Sequence, residues 1–347
     1  MEINRWENEG GALRKPKTSA QGGVEKARKA TTLRRILVPI DFSPESLKTL
    51  RFAKLLATRF GARLHLMHVV SPPVTSPARP VMIPPAFSEE AIAARAWQRM
   101  KELLAELSLS ARSNPCTVRS GAPVAEINEA ARKIDADLIA IATRGYTGLK
   151  RAFLGSTTER VVREAPCPVL VVREKEHQST RKGARKGRTA LQFRKILVPV
   201  DFSECSRLGL DYALGFAHEF RARLVLFHSV VVHAYVLGDE YTARAVPDLI
   251  ATQQDYAQDE MEKLLRSVSR KGREVESEIA FGSPVEQIND YVAKEDIDLI
   301  ITSTHGRSGL RRVFIGSTAE HVVRYATCPV LVVPNLPASK KTSKARR

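Results

Sequence analysis

Two short runs hold the residues best suited to chemistry: Gly155-Ser156-Thr157 and Gly316-Ser317-Thr318. Each opens a stretch with helical spacing of apolar residues. The first N–H groups of a helix have no intrahelical partner, and that end of the helix carries partial positive charge. Anions bind there. A glycine lets a phosphate approach the backbone closely, and serine and threonine hydroxyls add hydrogen bonds. Arg144, Lys150 and Arg151 supply charge near the first run, and His305, Arg307, Arg311 and Arg312 near the second. Asp41 and Asp201 each close an apolar run elsewhere in the chain. A carboxylate there can accept from a ribose hydroxyl or sit near hydrated Mg²⁺. The set suggests a nucleotide. The plainer alternative is a tight turn followed by a serine cap. Neither run is a GxxxxGK[ST] loop, because no lysine precedes the hydroxyl residues. No GxGxxG follows the first strand, which argues against a dehydrogenase.

The elements that must position these residues can be read from the pattern. In the first half, "RRILVPI" (34–40) is an apolar run of the kind that forms a strand buried on both faces. A helix over 43–60 is predicted, with Ser43 as cap, Pro44 at its first position and Gly61 as its stop. Strands follow at 63–70, 116–121, 137–143 and 167–172, and helices at about 88–108, 123–134 and 156–165. Strand–helix alternation with right-handed crossovers gives a doubly wound parallel sheet of about five strands. Ligands of such sheets bind at the carboxyl ends of the strands. Asp41, His68-Val69 and Ala142-Thr143 fall at such ends, as do Asp201, His228-Ser229 and Ser303-Thr304.

The chain of 347 residues states this pattern twice. "RRILVPIDFSPES" (34–46) returns as "RKILVPVDFSECS" (194–206), an offset of 160, and "APCPVLVV" (165–172) returns as "ATCPVLVV" (326–333), an offset of 161. This predicts a tail at 1–31, a domain at 32–174, a linker at 175–190, a second domain at 191–335 and a tail at 336–347. The length suffices to bury two separate cores.

The net charge of +17 resembles a nucleic-acid signature until it is located. Residues 1–31, 175–190 and 336–347 carry +3, +5 and +5, leaving +4 for the rest. These segments read as solvated, disordered tails and connector. Non-specific contact with RNA or a membrane surface is the alternative use. Cys116, Cys167, Cys205 and Cys328 form no CxxC pair and have no histidines at zinc spacing. A reduced, cytoplasmic location fits. The N-terminus shows no signal peptide, and no apolar run reaches membrane-spanning length. Cys167 and Cys328 read as small buried hydrophobes, and His68 and His228 as structural residues without a nucleophile to serve. Cys205 corresponds to Glu45, so a shared redox role is not expected. "SPPVTSPARPVMIPP" (71–85) reads as a surface loop over the site.

Taken together, "ILVPIDFS", "HVV", the "GxP" before the third helix, "TRGYTGLKRAFLGST" and "CPVLVV" make each copy resemble a universal stress protein domain, over about 290 residues. That resemblance implies an adenine nucleotide alpha hydrolase-like, Rossmann-like fold. It also implies ATP binding, with Mg held through the phosphates. The ATP-binding pattern of the family is Gly-x2-Gly-x9-Gly-Ser/Thr. Gly145 and Gly155, then Ser156, match its later part, as do Gly306 and Gly316, then Ser317. Its first glycine is Ala142 here and Ser303 in the second copy. The implied site is Pro39, Ile40, Asp41, Val69, Ile141, Ala142, Arg144, Gly145, Gly155, Ser156 and Thr157. Its second-copy version is Pro199, Val200, Asp201, Ser229, Thr302, Ser303, His305, Gly306, Gly316, Ser317 and Thr318. Asp41 and Asp201 would contact the nucleoside, Val69 and Ser229 would flank adenine, and the loop and helix start would hold phosphates.

By the same resemblance, the last strands, 167–172 and 328–333, would pair with each other or with another chain, giving a pseudo-dimer or homodimer. The expected function is a stress-response sensor or interaction module with no or slow ATP hydrolysis, since no catalytic set is evident. A slow ATPase or self-phosphorylating protein, and a nucleotide-free interaction protein, are the competing classes.

Overall fold

The computed structural model describes residues 32–71, 88–143, 154–173, 180–182, 189–231, 240–269, 275–304 and 316–335. The first repeat runs β1 (Arg35–Pro39), α1 (Pro44–Phe60), β2 (Arg63–Val70), α2 (Glu89–Glu106), β3 (Cys116–Ser120), α3 (Pro123–Lys133), β4 (Leu138–Ala142), α4 (Ser156–Glu164) and β5 (Val169–Val172). After β6 (Thr180–Lys182) and β7 (Thr189–Leu191) the second repeat follows as β8 (Lys195–Pro199), α5 (Glu204–Phe220), β9 (Arg223–Val230), α6 (Glu240–Ser269), β10 (Val275–Phe281), α7 (Pro284–Lys294), β11 (Leu299–Ser303), α8 (Ser317–Tyr325) and β12 (Val330–Val333).

Within each repeat the five strands are parallel, in the orders β3-β2-β1-β4-β5 and β10-β9-β8-β11-β12. Sequence explains the central strands. β4 (LIAIA) is buried at every position, as a strand covered on both faces must be. Its start is pinned by Asp137, whose Oδ2 accepts from the backbone N of Arg34 at 2.8 Å and of Arg35 at 2.9 Å. Asp298 does the same for Arg194 and Lys195.

The two half-sheets join into one sheet of ten strands. β5 and β12 pair antiparallel, Leu170 opposite Leu331, with Val330 opposite Val171 and Val332 opposite Val169. Both strands are wholly buried. The pairing lies within one chain. An apolar edge that would otherwise invite strangers is thereby covered.

The length allows two separate cores, and two are present, but they are not separated repeat by repeat. Two apolar layers exist, but the sheet divides them, and each layer crosses both repeats. One lies under α1, α2, α5 and α6, and includes Leu50, Met100, Phe216 and Met261. The other lies under α3, α4, α7 and α8, and includes Ile127, Val161, Ile288 and Val322. A continuous sheet makes this unavoidable, because alternate residues of every strand face the same side.

The linker also departs from expectation. It is not structureless throughout, since β6 and β7 form a two-stranded antiparallel ribbon, Arg181 opposite Ala190. Leu191, the last residue of β7, and Phe193 just beyond it are buried in the layer containing α1. The expected tails 1–31 and 336–347, and residues 72–85 of the proline-rich loop, lie outside the described residues. Among the described residues, no helix is long and apolar enough to cross a membrane.

Candidate functional site

Each repeat has a crevice at the carboxyl ends of its first, second and fourth strands, where strand order reverses. Its first wall is the turn after β1. Asp41 follows this strand, and Phe42 takes φ 62°. Phe202, after Asp201, takes φ 63°. A bulky L-residue in the left-handed region costs about 1–3 kcal/mol, so surrounding contacts must hold it there. They are on view. Asp41 Oδ1 accepts from Ser43 N at 3.0 Å and from Ser43 Oγ at 2.5 Å. Ser43 Oγ in turn accepts from Ser46 N, capping α1. Asp201, Ser203 and Ser206 repeat this relay.

His68, near the end of β2, places Nδ1 2.7 Å from the Ile40 carbonyl, and its ring lies 4.7 Å from that of Phe42. A carbonyl only accepts, so Nδ1 carries the proton. His228 does the same with Val200 and Phe202, at 2.7 and 4.4 Å. Arg99 lies over Phe42 at 4.5 Å, while Tyr256 meets Phe202 edge-on at 6.3 Å. The two histidines therefore clamp strand ends and buttress a strained turn.

The opposite wall is the start of α4 or α8. Gly155 N donates to the Thr143 carbonyl at 2.8 Å, and Gly316 N to that of Thr304 at 2.7 Å, tying each helix start to the preceding strand. Gly155 has φ −64° and Gly316 φ −57°, values any residue adopts. The tight-turn explanation of these glycines therefore has no backbone support. What glycine supplies here is the absent side chain. Neither helix start has a side-chain cap, whereas α1, α2 and α5 are capped by Ser43, Ser88 and Ser203. An uncapped start facing a crevice offers its N–H groups to a ligand.

A cavity of ≈ 320 Å³ in the first repeat is lined by Pro39, Ile40, Asp41, Val69, Ile141, Ala142, Gly155, Ser156 and Thr157. In the second repeat a cavity of ≈ 340 Å³ is lined by Pro199, Val200, Asp201, Ser229, Thr302, Ser303, Gly316, Ser317 and Thr318. All of these are residues singled out from sequence. Arg144, Gly145, His305 and Gly306, with the basic residues at 150–151, 307 and 311–312, lie outside the described residues.

Sequence reasoning missed several lining residues. Ser46, Met67, Ser71, Pro123, Ile127 and Thr158 line the first cavity. Ser206, Phe227, Pro284, Ile288 and Ala319 line the second, together with His228 and Thr304, which the sequence had already set at strand ends. Most are interior residues of helices or strands; Ser46, Pro123 and Ile127 recur as Ser206, Pro284 and Ile288, whereas Met67 and Thr158 correspond to Phe227 and Ala319.

The two cavities differ in chemistry. Val69, Ile141 and Ala142 of the first become Ser229, Thr302 and Ser303 in the second. Ser229 Oγ donates to the Gly282 carbonyl at 2.8 Å. Thr158 Oγ1 donates to the Ala142 carbonyl at 2.7 Å, a bond its counterpart Ala319 cannot make. Beside the second cavity, Cys205 Sγ accepts from Asn335 Nδ2 at 3.1 Å. Burial first, then Asp201 and Glu204, push its thiol above the ordinary range. Burial also pushes the Cys167 and Cys328 thiols to about 12. Among the described residues no group of three or more His, Cys, Asp or Glu side chains could hold a metal ion.

Fold and site define a tandem doubly wound α/β protein with one strand-end crevice per repeat. The pattern of the universal stress protein family matches residues 32–173 and 192–334, and the chain belongs to that family. It is 32% identical over 142 residues to a universal stress protein of Methanocaldococcus jannaschii, covering 41% of this chain and 82% of that one. A universal stress protein of Mycolicibacterium smegmatis is 27% identical over 308 residues, covering 86% of this chain and 96% of the other. The crystal structure of a universal stress protein from Archaeoglobus fulgidus superposes with a TM-score of 0.60 at 21% identity, covering 86% and 98% of the two chains.

Proposed function

We propose that both crevices hold ATP and that the protein works as a nucleotide-loaded stress-response sensor or interaction module, with no or slow hydrolysis. The observation that carries this reading is the uncapped, glycine-started helix opposite an anchored aspartate, built twice. The triphosphate would lie on the N–H groups of Ser156, Thr157 and Thr158, and on those of Ser317, Thr318 and Ala319. Asp41 and Asp201 would accept from the ribose. The base would lie beside Val69 or Ser229, against apolar neighbours such as Ile127 or Ile288. Mg²⁺, if it accompanies the nucleotide, would be held by phosphate oxygens. By the family resemblance, Arg144, Gly145, His305 and Gly306 would help to hold the phosphates. We place the protein in the cytoplasm.

The test is mass spectrometry of small molecules released from freshly purified protein, followed by incubation with radiolabelled ATP. Retained, unhydrolysed ATP is expected. Rapid release of ADP, or label on the protein, would favour an ATPase or self-phosphorylating enzyme. No nucleotide, native or added, would leave an interaction protein.

A further inference from the structure

The junction between repeats has an internal two-fold axis. Leu170 and Leu331 occupy equivalent positions in the two copies, and they lie opposite each other across β5 and β12. Any residue that touches its own counterpart reports what a pair of identical repeats would bring together.

Arg59 and Glu219 are such counterparts, 160 residues apart, and they touch. Arg59 Nε lies 3.0 Å from Glu219 Oε1, and its guanidinium also donates to the Glu219 carbonyl. The same guanidinium sits 5.5 Å from the ring centre of Phe220. Pairing first repeat with first repeat would set Arg59 against Arg59. Pairing second with second would set Glu219 against Glu219. Only the mixed pair is attractive.

Packing differs in the same direction. Phe193 and Phe216 of the second repeat occupy the positions of Leu33 and Leu56 in the first. Phe193 meets Phe52 across the junction at 6.2 Å, and Phe216 meets Phe60 at 5.4 Å. A pair of second repeats would put large rings on both sides, and a pair of first repeats would put leucine on both sides. Overfilling and underfilling each cost stability. Arg173 donates to the Val323 carbonyl at 2.6 Å, and its counterpart is Pro334, which has no such donor. A second–second pair would lose that bond on both sides. Net charge agrees: residues 32–174 carry +8 and residues 191–335 carry −4. The Arg324–Glu159 contact at 3.6 Å does not discriminate, because both repeats keep an arginine and a glutamate at these positions.

We infer that the pairing faces of the two repeats have diverged so that each accepts the other and rejects its own kind, with Arg59 and Glu219 as the selecting pair. The partner of each face is the opposite repeat of this chain. Repulsion against the wrong pairing contributes to this choice as much as attraction in the right one.

The test introduces a protease site between residues 183 and 188 of the full chain and cuts it after folding. Native mass spectrometry then counts first–first, first–second and second–second pairs. Mixed pairs should exceed their statistical share by about tenfold. Arg59→Glu should bring the distribution back toward statistical, and Arg59→Glu with Glu219→Arg should restore the preference. A statistical mixture from the cut protein with Arg59 and Glu219 unchanged, or an Arg59→Glu distribution like that of the unaltered protein, overturns the inference. Urea melts of the uncut chain give a second reading. Each single reversal should lower the midpoint and the double reversal should recover most of the loss, whereas additive losses overturn it.

Discussion

Ser43 and Asp41 hold each other: Ser43 donates both its backbone N–H and its hydroxyl to Asp41 Oδ1, and the same hydroxyl caps α1. One serine thus starts a helix, fixes a strained turn and orients the carboxylate facing the crevice. Ser43→Ala should destabilise the protein by about 1 kcal/mol, the usual cost of a lost cap. It should also weaken nucleotide binding at the first crevice more than at the second. Urea melts and calorimetric titration of ATP check both, and Ser203→Ala should show the mirror result.

The helix-start glycines test where phosphate sits. Their φ values suit any residue, so Gly155→Leu and Gly316→Leu should fold. A leucine side chain would nevertheless block close approach to the N–H groups. Calorimetry should count two ATP sites in the unaltered protein and one in each variant. The site remaining in Gly155→Leu should be the weaker, because Ser303 places a polar group to desolvate beside the ligand where the first repeat has Ala142. Two sites surviving in both variants would remove phosphate from these helix starts.

The counterpart of Gly61, which stops α1 at φ 67°, is Arg221 at φ 53°. A left-handed helix stop suits glycine, and an exposed arginine side chain has little packing to lose. Arg221→Gly should raise stability by about 1 kcal/mol. A thermal melt with no upward shift would contradict this.

The sheet junction should tolerate a charge poorly. Leu170 is 1% exposed and Leu331 is 0% exposed. Leu170→Lys buries an unpaired ammonium and should cost about 4 kcal/mol. With Leu331→Lys added, the halves should come apart. Denaturant melts and sedimentation read the two effects. A double variant with unchanged stability and an unchanged sedimentation coefficient would be incompatible with the pairing of β5 and β12.

Cysteine reactivity should follow burial. With thiols pushed to about 12, Cys167 and Cys328 should stay unlabelled by a thiolate-directed reagent at pH 8 until the protein unfolds. Linkage adds a pH effect with a definite sign. Their folded values lie above the ordinary value of 9, so the stabilisation is fully present below pH 9 and is lost as pH rises through about 12. Cys167→Ala with Cys328→Ala should flatten the stability profile over that window.

Much of this protein is decided locally. Strand and helix positions follow from apolar runs, from Ser43-Pro44 and from Gly61, because caps and burial patterns act over a few neighbouring residues. Duplication made the site legible, since Asp41 with Asp201 and the two Gly-Ser-Thr runs recur in step. The tertiary structure decided what depends on long-range contact. Met67, Ile127 and Thr158 line a cavity only because separate strands and helices converge there. The two cores cross both repeats because β5 meets β12, joining two half-sheets into one. Arg59 and Glu219 look like ordinary surface charges in the sequence. They become partners only when the two-fold junction brings equivalent positions face to face, where electrostatics depends on distance in space and not along the chain.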